Sequence, residues 1–376
     1  MFRYIFLILV FILCFPTPCH SSPSVSAEAA IVIENSTGRV IYNKNAHRRL
    51  PMASTTKIMT AICAIENTKP DTLITVDDRA VGIEGSSVYL AKNEKITIID
   101  LIYAMMLNSG NDAATALAYE VSGSVESFAD LMNKTAQSIG AKDTHFTNPS
   151  GLYEKDHYTT AQDLAMISAY ALENPLFAEI VSTREKTITN GEKDYPRKLR
   201  NHNRLLSSYD GCIGVKTGYT KKCGRCLVSS ALRDGVKLTC VTLNAPDDWK
   251  DHTSLLDYGF SRCKSIVIAN QDDYCRTISV GKYNPQKVRV KFKDALTLVT
   301  EEGKTNDVSI SYSFRDNLNL PITEGESVGK ASLYVDGILC SQSELVCAQS
   351  AIYIEERSFY KTFLINLKNF FNFQMA

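Results

Sequence analysis

The sequence has no surplus of charge of either sign. Its 41 lysine and arginine residues balance 41 aspartate and glutamate residues, so the formal net charge at pH 7 is zero. Nucleic-acid binding calls for a basic surplus, and no nucleic-acid partner is therefore expected. The hydrophobic share of 44% and the charged share of 22% are ordinary for a globular protein. A chain of this length has room for two domains.

The N-terminal apolar run, residues 4–15, is too short for a comfortable membrane span. It follows the single charge of Arg3 and ends at Pro16 and Pro18, which is the pattern of a secretory signal peptide. We expect residues 1–27 to be a signal peptide, cleaved after residues 25–27 (Val-Ser-Ala) or at an alternative position near Ser21 or Ser22. The protein is then exported.

A metal-binding cluster is also lacking. Cys223 and Cys226 have the spacing of a metal or redox pair, but neither a second pair nor a histidine cluster stands nearby, so no metal is expected. The two cysteines of the predicted signal peptide leave nine in the mature chain. An odd number means at least one free thiol or an intermolecular bridge. Cys340 and Cys347 are expected to be able to pair across a short loop.

Hydrophobic patterning divides the chain into an α+β domain and a smaller β-rich domain. Strands are predicted at 29–33 and 39–42, joined by a turn, and again at 214–217, 225–229 and 236–242; a mostly helical middle at 98–171 separates the two groups, and a last helix spans 248–260. We expect all these strands to share one antiparallel sheet flanked by helices, with the helical middle as a second lobe across a cleft. The predicted boundaries are 28–265 and, for the period-two β-rich domain, 270–355.

Ser54 and Lys57 form the candidate catalytic pair. Residues three apart on a helical turn share a face, so the amine of Lys57 can reach the hydroxyl of Ser54. A serine hydroxyl becomes nucleophilic when a base takes its proton, and a neutral lysine can be that base. The Ser-x-x-Lys pattern occurs five times in this chain, so it is not specific by itself. The alternative for any one match is a serine and a lysine on a solvated surface.

Two further segments carry suitable chemistry. Ser109 and Asn111 lie between two predicted helices and offer a hydroxyl that relays a proton and an amide that can hold a peptide. An ordinary helix N-cap is the alternative there. Lys216, Thr217 and Gly218 follow a predicted strand and offer a cation, a hydroxyl and a close backbone approach, with a solvated strand end as the alternative.

In the order 54, 109 and 216, the three motifs together resemble a known catalytic set, that of penicillin-binding proteins and class A β-lactamases. The chain resembles the low-molecular-weight penicillin-binding proteins, which are the D-alanyl-D-alanine carboxypeptidases of serine peptidase family S11. Other segments look like the same family, so that the resemblance covers nearly the whole mature chain: 53–61, 84–87, 109–113, 148–152, 157–160 and 214–220. The implied fold is a serine β-lactamase/DD-peptidase-like domain followed by a small all-β domain.

The resemblance implies the chemistry of the acylation step. Ser54 attacks the carbonyl of the penultimate D-Ala of a peptidoglycan stem pentapeptide, and Lys57 accepts its proton. Ser109 passes a proton to the leaving amine. Water then hydrolyses the acyl-enzyme, which releases the shortened peptide. No cofactor is implied, and β-lactam antibiotics are expected to inhibit the enzyme by acylating Ser54.

The resemblance also implies the substrate contacts. Lys216 and Thr217 hold the terminal carboxylate, Gly218 lets the substrate backbone approach, and Asn111 orients the peptide. The backbone N–H groups of Ser54 and Tyr219 form the oxyanion hole.

The last residues, 357–376, contain three cations and no acidic side chain. At 100° per residue, most of their aromatic and aliphatic side chains fall on one half of a helical wheel. We predict an amphipathic helix that lies in the membrane plane, held by its apolar face and by anionic lipid. This prediction places the protein on the extracytoplasmic face of the bacterial cytoplasmic membrane. Packing of the helix onto its own β-rich domain is the alternative.

Three other functions are considered for a chain that carries these motifs. A serine β-lactamase would share the acylation step, but this chain reads Ser-Gly-Asn at 109–111 rather than Ser-Asp-Asn. It also has no Glu-x-x-Leu-Asn segment between that loop and Lys216, so the deacylating glutamate of class A β-lactamases is lacking. A peptidoglycan DD-endopeptidase or transpeptidase would use the same residues. A non-catalytic cell-wall-binding protein would have no need of the intact motifs.

Overall fold

The computed structural model describes residues 22–188, 196–280, 283–304, 307–315, 318 and 321–353. The amphipathic helix predicted at 357–376 and residues 1–21 of the predicted signal peptide lie outside the described residues. Both therefore stay predictions.

The first domain contains nine strands and eight helices among its described residues. Its strands are β1 (Ala29–Glu34), β2 (Val40–Lys44), β3 (Leu73–Thr75), β4 (Lys95–Thr97), β5 (Glu185–Ile188), β6 (Arg197–Arg200), β7 (Cys212–Thr220), β8 (Gly224–Arg233) and β9 (Val236–Leu243). Its helices are α1 (Lys57–Asn67), α2 (Ile98–Leu107), α3 (Asn111–Ser122), α4 (Val125–Ile139), α5 (Ala161–Leu172), α6 (Pro175–Ser182), α7 (Leu205–Ser208) and α8 (Asp248–Arg262).

Five of these strands form the central antiparallel sheet, in the order β2-β1-β9-β8-β7. The strand at the start of the domain pairs with the last one, with Ile31 opposite Val241. The prediction that strands from both ends of the domain share one sheet is confirmed. Because β7 is an edge strand, one side of its backbone has no partner strand among the described residues, and the strand contacts residues 53–56.

Helix α1 lies at the centre of the domain. Its predicted apolar positions, from Ile58 to Ala64, are all at most 1% exposed, and the helix packs against α2 to α6. A helix that is buried all round is held by its neighbours rather than by its own propensity. The turn that precedes it, which contains Ser54, is therefore attached to a rigid element.

Side-chain caps define where several helices begin. Thr97 is the N-cap of α2, and its Oγ1 accepts a hydrogen bond from the backbone N–H of Asp100 at 3.2 Å. Ser124, Thr160 and Asn174 cap α4, α5 and α6 in the same way. Each cap satisfies an N–H group that the helix itself leaves unpaired.

The second domain is all β, as predicted. Its strands are β10 (Cys263–Ala269), β11 (Tyr274–Ser279), β12 (Tyr283–Asn284), β13 (Lys287–Phe292), β14 (Leu296–Glu301), β15 (Val308–Phe314), β16 (Ser327–Val335), β17 (Ile338–Cys347) and β18 (Ile352–Tyr353). The main sheet has the order β11-β13-β17-β16-β15. Alternate residues such as Val288 and Val290 are fully buried in its own core, which confirms the α+β fold class with a separate β-rich domain.

Cys340 and Cys347 do not pair, although the sequence left this disulfide possible. Both thiols are free, and both residues lie on the single strand β17 rather than on either side of a loop. A strand rises about 3.3 Å per residue, so their Cα atoms are far beyond the roughly 7 Å that a disulfide can bridge.

Residues near the predicted cleavage site pack onto the first domain. Asp251 of α8 accepts hydrogen bonds from the backbone N–H groups of Ser26 and Ala27, both at 3.0 Å, and from the Ser26 hydroxyl at 2.7 Å. A chain cleaved after Ala27 lacks these three hydrogen bonds. A chain cleaved at the alternative positions, Ser21 or Ser22, keeps them.

Among the described residues, no single helix is both long and apolar enough to cross a membrane. The pair α5 and α6, bent by 106°, passes the same criteria together, by length and composition only.

Candidate active site

The candidate nucleophile lies in a 3₁₀ turn, Ala53–Thr56, that leads directly into α1. The sequence predicted one helical turn here, and the tighter turn serves the same purpose because residues i and i+3 eclipse one another in a 3₁₀ helix. Lys57 Nζ accordingly lies 3.1 Å from Ser54 Oγ. The turn is held by Thr56, whose hydroxyl donates to the carbonyl of Ala53 at 2.8 Å.

Ala53, immediately before the nucleophile, has a left-handed backbone conformation, with φ at +48°. A non-glycine residue adopts this conformation only at a cost of about 1–3 kcal/mol, and such strain collects at functional sites. The surrounding packing compensates for it, since Ala53 is 1% exposed.

Lys57 is fully buried and has three polar neighbours. Besides Ser54 Oγ, its Nζ contacts Asn111 Oδ1 at 2.7 Å and the carbonyl oxygen of Ser150 at 2.6 Å. Both of these are acceptors only, so each must receive an N–H from the lysine. A neutral amine has two N–H groups, and its lone pair then points to the third neighbour, the hydroxyl of Ser54. This arrangement is the one that a general base requires.

The electrostatic environment of Lys57 favours the neutral amine. Burial, followed by the positive charge of Lys216, lowers the pKa of Lys57 well below its ordinary value, while Asp112 opposes the shift. In the structure, burial is the larger cause.

Ser109 and Lys216 form a second contact pair. Lys216 Nζ lies 3.2 Å from Ser109 Oγ and 3.0 Å from the carbonyl oxygen of Thr217. Ser109 occupies the turn between α2 and α3 and has φ at +62°. Both residues are at most 5% exposed, and burial lowers the pKa of Lys216 to about 7. A bound carboxylate would restore the charge of this lysine by pairing with it.

The Lys216-Thr217-Gly218 segment lies within β7 rather than at its end, because the strand continues to Thr220. An added Cβ atom at Gly218 would lie 3.0 Å from the backbone nitrogen of Ser54. Only glycine therefore lets the edge strand lie against the nucleophile turn at this point. The next residue, Tyr219, is 64% exposed beside the cleft.

Asn111 has a different set of partners from the one predicted. Its Oδ1 accepts from Lys57, and its Nδ2 donates to the carbonyl of Glu84 at 2.6 Å. Both ends of the amide thus contact the protein itself. The geometry supports a role in holding Lys57 in place, in addition to the predicted contact with the substrate peptide.

Asp112 fixes the loop that borders this part of the site. Its buried carboxylate accepts from the backbone N–H groups of Val88 and Leu90, each at 3.1 Å, and from the hydroxyl of Ser87 at 2.7 Å. A charged acceptor with several N–H donors is a strong restraint on a loop. The Ser109 turn and the 84–90 loop therefore form one connected unit.

Ser150 and His157 lie in segments that resemble the family, but their side-chain types alone predict no role for them. Ser150 contributes its backbone carbonyl, and the identity of a side chain does not indicate such a role. His157 is 2% exposed, and its Nε2 lies 2.8 Å from the hydroxyl of Thr56 in the nucleophile turn. Its Nδ1 accepts from the N–H of Thr147 at 3.1 Å, so the proton of the neutral ring is on Nε2.

We expect the folded state to lose stability as the pH falls from about 6.5 to about 4. Burial lowers the pKa of His157 to about 4 and that of His252 to about 3, so the unfolded chain binds more protons in this range. The loss from His157 alone is on the order of 3 kcal/mol. Urea unfolding measured at several pH values tests this, with His157→Gln as the variant that cannot take up a proton. Parallel pH curves for the variant and the wild type would contradict the assignment to His157.

Comparisons with known proteins identify the family of the chain. The sequence model of the D-alanyl-D-alanine carboxypeptidase family matches residues 17–247, and that of the penicillin-binding protein 5 C-terminal domain matches residues 264–351. The carboxypeptidase DacF of Bacillus subtilis is 32% identical over 286 residues, which cover 74% of this chain and 73% of DacF. A D-alanyl-D-alanine carboxypeptidase of Streptomyces strain K15 is 35% identical over 265 residues, or 65% of this chain and 91% of that protein.

The fold has solved counterparts as well. The crystal structure of penicillin-binding protein 5 from Haemophilus influenzae superposes with a TM-score of 0.63 at 26% identity, covering 88% of this chain and 99% of that one. Coverage of this extent includes both domains.

Proposed function

The chain belongs to the D-alanyl-D-alanine carboxypeptidase family of serine peptidases, and from this premise we propose that it removes the terminal D-alanine of peptidoglycan stem pentapeptides through an acyl-Ser54 intermediate. The observation that carries the proposal is the contact of Lys57 Nζ with Ser54 Oγ at 3.1 Å, with both N–H groups of the neutral amine taken up by other acceptors. This pair is a preformed nucleophile and base.

In the proposed reaction, Ser54 Oγ attacks the carbonyl carbon of the penultimate D-Ala and its proton passes to Lys57. The oxyanion is stabilised by the backbone N–H groups of Ser54 and Tyr219. As the C–N bond breaks, Ser109 delivers a proton to the leaving D-Ala amine. Water then hydrolyses the ester of Ser54.

The terminal carboxylate binds Lys216 and Thr217. Because the ammonium of Lys216 lies 3.2 Å from Ser109 Oγ, the carboxylate is held next to the group that protonates the leaving amine. Binding of the carboxylate also raises the pKa of Lys216 again, so the positive charge is present when substrate is bound. β-Lactam antibiotics bind in the same way and acylate Ser54, which makes them inhibitors.

D-Alanine release from a pentapeptide that ends in D-Ala-D-Ala is the experiment that tests the proposal. We expect the purified mature protein to release D-alanine and to be labelled by a fluorescent penicillin, and the variant Ser54→Ala to do neither. The conservative change Ser261→Ala, at an exposed serine near the end of α8 and outside the site, serves as the matched control. Labelling without release would exclude the carboxypeptidase reaction, and release by Ser54→Ala would exclude Ser54 as the nucleophile.

We further propose that the protein acts on the extracytoplasmic face of the cytoplasmic membrane, exported by residues 1–27 and held by residues 357–376. The three cations and the aromatic half of this last segment support the proposal. Each basic residue near an anionic membrane surface contributes about 1 kcal/mol to the free energy of membrane binding. Burial of the apolar face contributes further binding free energy.

Deleting residues 357–376 is expected to move the protein from the membrane fraction to the soluble fraction. Replacing Phe363 and Phe370 with serine tests the apolar face specifically, and replacing Asn369 and Asn372 with serine is the matched control on the polar face. If the deletion variant remains in the membrane fraction, this segment is not the anchor.

A further inference from the structure

A buried chain of hydrogen bonds leads to the residue that precedes the nucleophile. Its members are the backbone N–H of Thr147, the imidazole of His157, the hydroxyl of Thr56 and the carbonyl of Ala53, and we call it the histidine relay. The successive distances are 3.1, 2.8 and 2.8 Å. His157, Thr56 and Ala53 are each at most 2% exposed. The steps of the proposed reaction give no role to any of these four groups.

The protons of the relay can be arranged in only one direction. Burial lowers the pKa of His157 to about 4, so the ring is neutral near pH 7. A backbone N–H can only donate, so Nδ1 of His157 accepts from Thr147, and the ring proton is on Nε2. Nε2 therefore donates to Thr56 Oγ1, which leaves the hydroxyl proton of Thr56 for another acceptor. The carbonyl of Ala53 accepts that proton.

The last group of the relay belongs to the same peptide unit as the nitrogen of the nucleophile. This unit joins Ala53 to Ser54, and because a trans peptide is planar, its C=O and N–H bonds point in opposite directions. A donor that fixes the direction of the Ala53 carbonyl therefore also fixes the direction of the Ser54 N–H. That N–H is one of the two donors of the proposed oxyanion hole. It lies beside the other, because an added Cβ atom at Gly218, the neighbour of Tyr219, would be 3.0 Å from the nitrogen of Ser54.

This peptide unit needs a restraint because the backbone before it is strained. Ala53 has φ at +48°, a conformation that a non-glycine residue keeps only where the surrounding structure imposes it. The Thr56 hydroxyl donates to the Ala53 carbonyl, and the 148–152 loop packs against the same oxygen, since an added Cβ atom at Gly151 would lie 2.0 Å from it. Relaxation of Ala53 would rotate the peptide unit, and the Ser54 N–H would turn with it.

We propose that His157 is a positioning residue for the oxyanion hole. It acts through Thr56 on the peptide unit that joins Ala53 to Ser54. The proposal rests on the proposed function and adds a residue that neither touches the substrate nor exchanges a proton with it. A donor that already points to the place where negative charge develops stabilises the transition state. The relay should therefore affect the rate of acylation more than the binding of the intact ligand.

The test measures how a fluorescent penicillin acylates variants of the relay, with the acylation rate constant separated from the dissociation constant of the initial complex. His157→Leu removes both ring nitrogens, and Thr56→Val removes the hydroxyl while nearly keeping the side-chain shape. We expect each to lower the acylation rate constant about 10- to 100-fold, because the donor is misdirected rather than lost. The dissociation constant should change less than about threefold, and Thr56→Ser, which keeps the hydroxyl, should acylate within about threefold of the wild type.

A double variant shows whether the histidine acts through the hydroxyl. If His157 has its effect only through Thr56, the combination of His157→Leu with Thr56→Val acylates no more slowly than Thr56→Val alone. Two losses that multiply in the double variant would show that the residues act independently, and the relay would be wrong.

A second buried threonine–histidine contact provides the matched control. Thr242 Oγ1 and His252 Nε2 are 2.9 Å apart, and both residues are fully buried where β9 meets α8, outside the Ser54 site. Thr242→Val and His252→Leu should destabilise the fold but leave the acylation rate constant of the folded molecules within about twofold of the wild type. Titration of the labelled fraction counts the folded molecules, so a folding defect is not mistaken for slow acylation.

A polar pair of variants decides the question if the apolar variants do not fold. The amide N–H of His157→Gln lies about as far from the backbone as Nε2 and can still reach Thr56. The amide of His157→Asn is too short to do so. We expect the asparagine variant to acylate at least about fivefold more slowly than the glutamine variant.

Three results would overturn the proposal while the carboxypeptidase function stands. The first is acylation by His157→Leu and Thr56→Val at the rate of the Thr242 and His252 controls. The second is equal acylation by His157→Gln and His157→Asn. The third is an effect confined to the dissociation constant. If the wild type neither reacts with penicillin nor releases D-alanine, the proposed function itself is wrong, and this inference with it.

Discussion

Replacing Lys57 with alanine is expected to lower the rate at which a fluorescent penicillin acylates Ser54 by about 10²- to 10⁴-fold, the range in which general bases contribute. The Lys57 amine lies 3.1 Å from Ser54 Oγ, within reach of the seryl proton. Without this amine the seryl hydroxyl loses its base, because the other groups around Lys57, Asn111 Oδ1 and the Ser150 carbonyl oxygen, are amide oxygens and are far weaker bases than an amine. The measurement is the second-order rate constant of labelling.

Two further variants separate the base from a merely positive charge. Lys57→Met keeps the volume of the buried side chain and should lose acylation to the same degree. Lys57→Arg keeps a cation but cannot become neutral near pH 7, so it should fail as well. Retained acylation in Lys57→Arg would show that Lys57 acts by its charge. Lys155→Ala, at an exposed lysine, is the control.

The contact between Ser54 and Lys57 could be predicted because it is local. A spacing of three residues in a helical turn brings the two side chains together whether the turn is α or 3₁₀. The other two partners of Lys57 could not be predicted by such a rule. Asn111 and Ser150 lie 54 and 93 residues further along the chain, and one of them contributes only its backbone carbonyl.

Sheet membership was predictable for a related reason. Strand signals at both ends of the first domain predicted strands that need partners, and the structure pairs β1 with β9. The short hairpin of β5 and β6 was missed. Its residues, such as Glu185, Lys186, Lys198 and Arg200, are mostly charged and exposed, so they lack the alternation that marks a half-buried strand.

Cys340 and Cys347 show that closeness in sequence does not establish that two cysteines can pair. Two cysteines seven residues apart can meet across a loop, but the intervening residues continue a strand that is paired with β16. Extended backbone separates residues that a turn would bring together. The deciding information is the strand pairing, which involves residues distant in sequence.

Replacing Gly151 with alanine is expected to lower the acylation rate of Ser54 by about 10²-fold, because shifts of about 1 Å in a reacting group have effects of this size. An added Cβ atom at residue 151 would lie 2.0 Å from the carbonyl oxygen of Ala53 and 2.8 Å from the hydroxyl of Thr56. Both atoms belong to the nucleophile turn, so the turn itself has to move. Overpacking of this kind also destabilises the fold by about 1–3 kcal/mol.

Gly151 has a left-handed backbone conformation, with φ at +83°, which is unfavourable for alanine whatever the surrounding space. This conformational cost must be separated from the steric clash with Ala53. Gly123 is the matched control, because its φ is +75° and an added Cβ atom there has no neighbour within 4 Å. Gly123→Ala should therefore lose only about 1–2 kcal/mol of stability and acylate normally. Labelling kinetics and urea unfolding of both variants distinguish the two effects. If Gly151→Ala acylates as fast as Gly123→Ala, the Ala53 carbonyl has moved without displacing Ser54, and the nucleophile turn is less tightly coupled to the 148–152 loop than these contacts indicate.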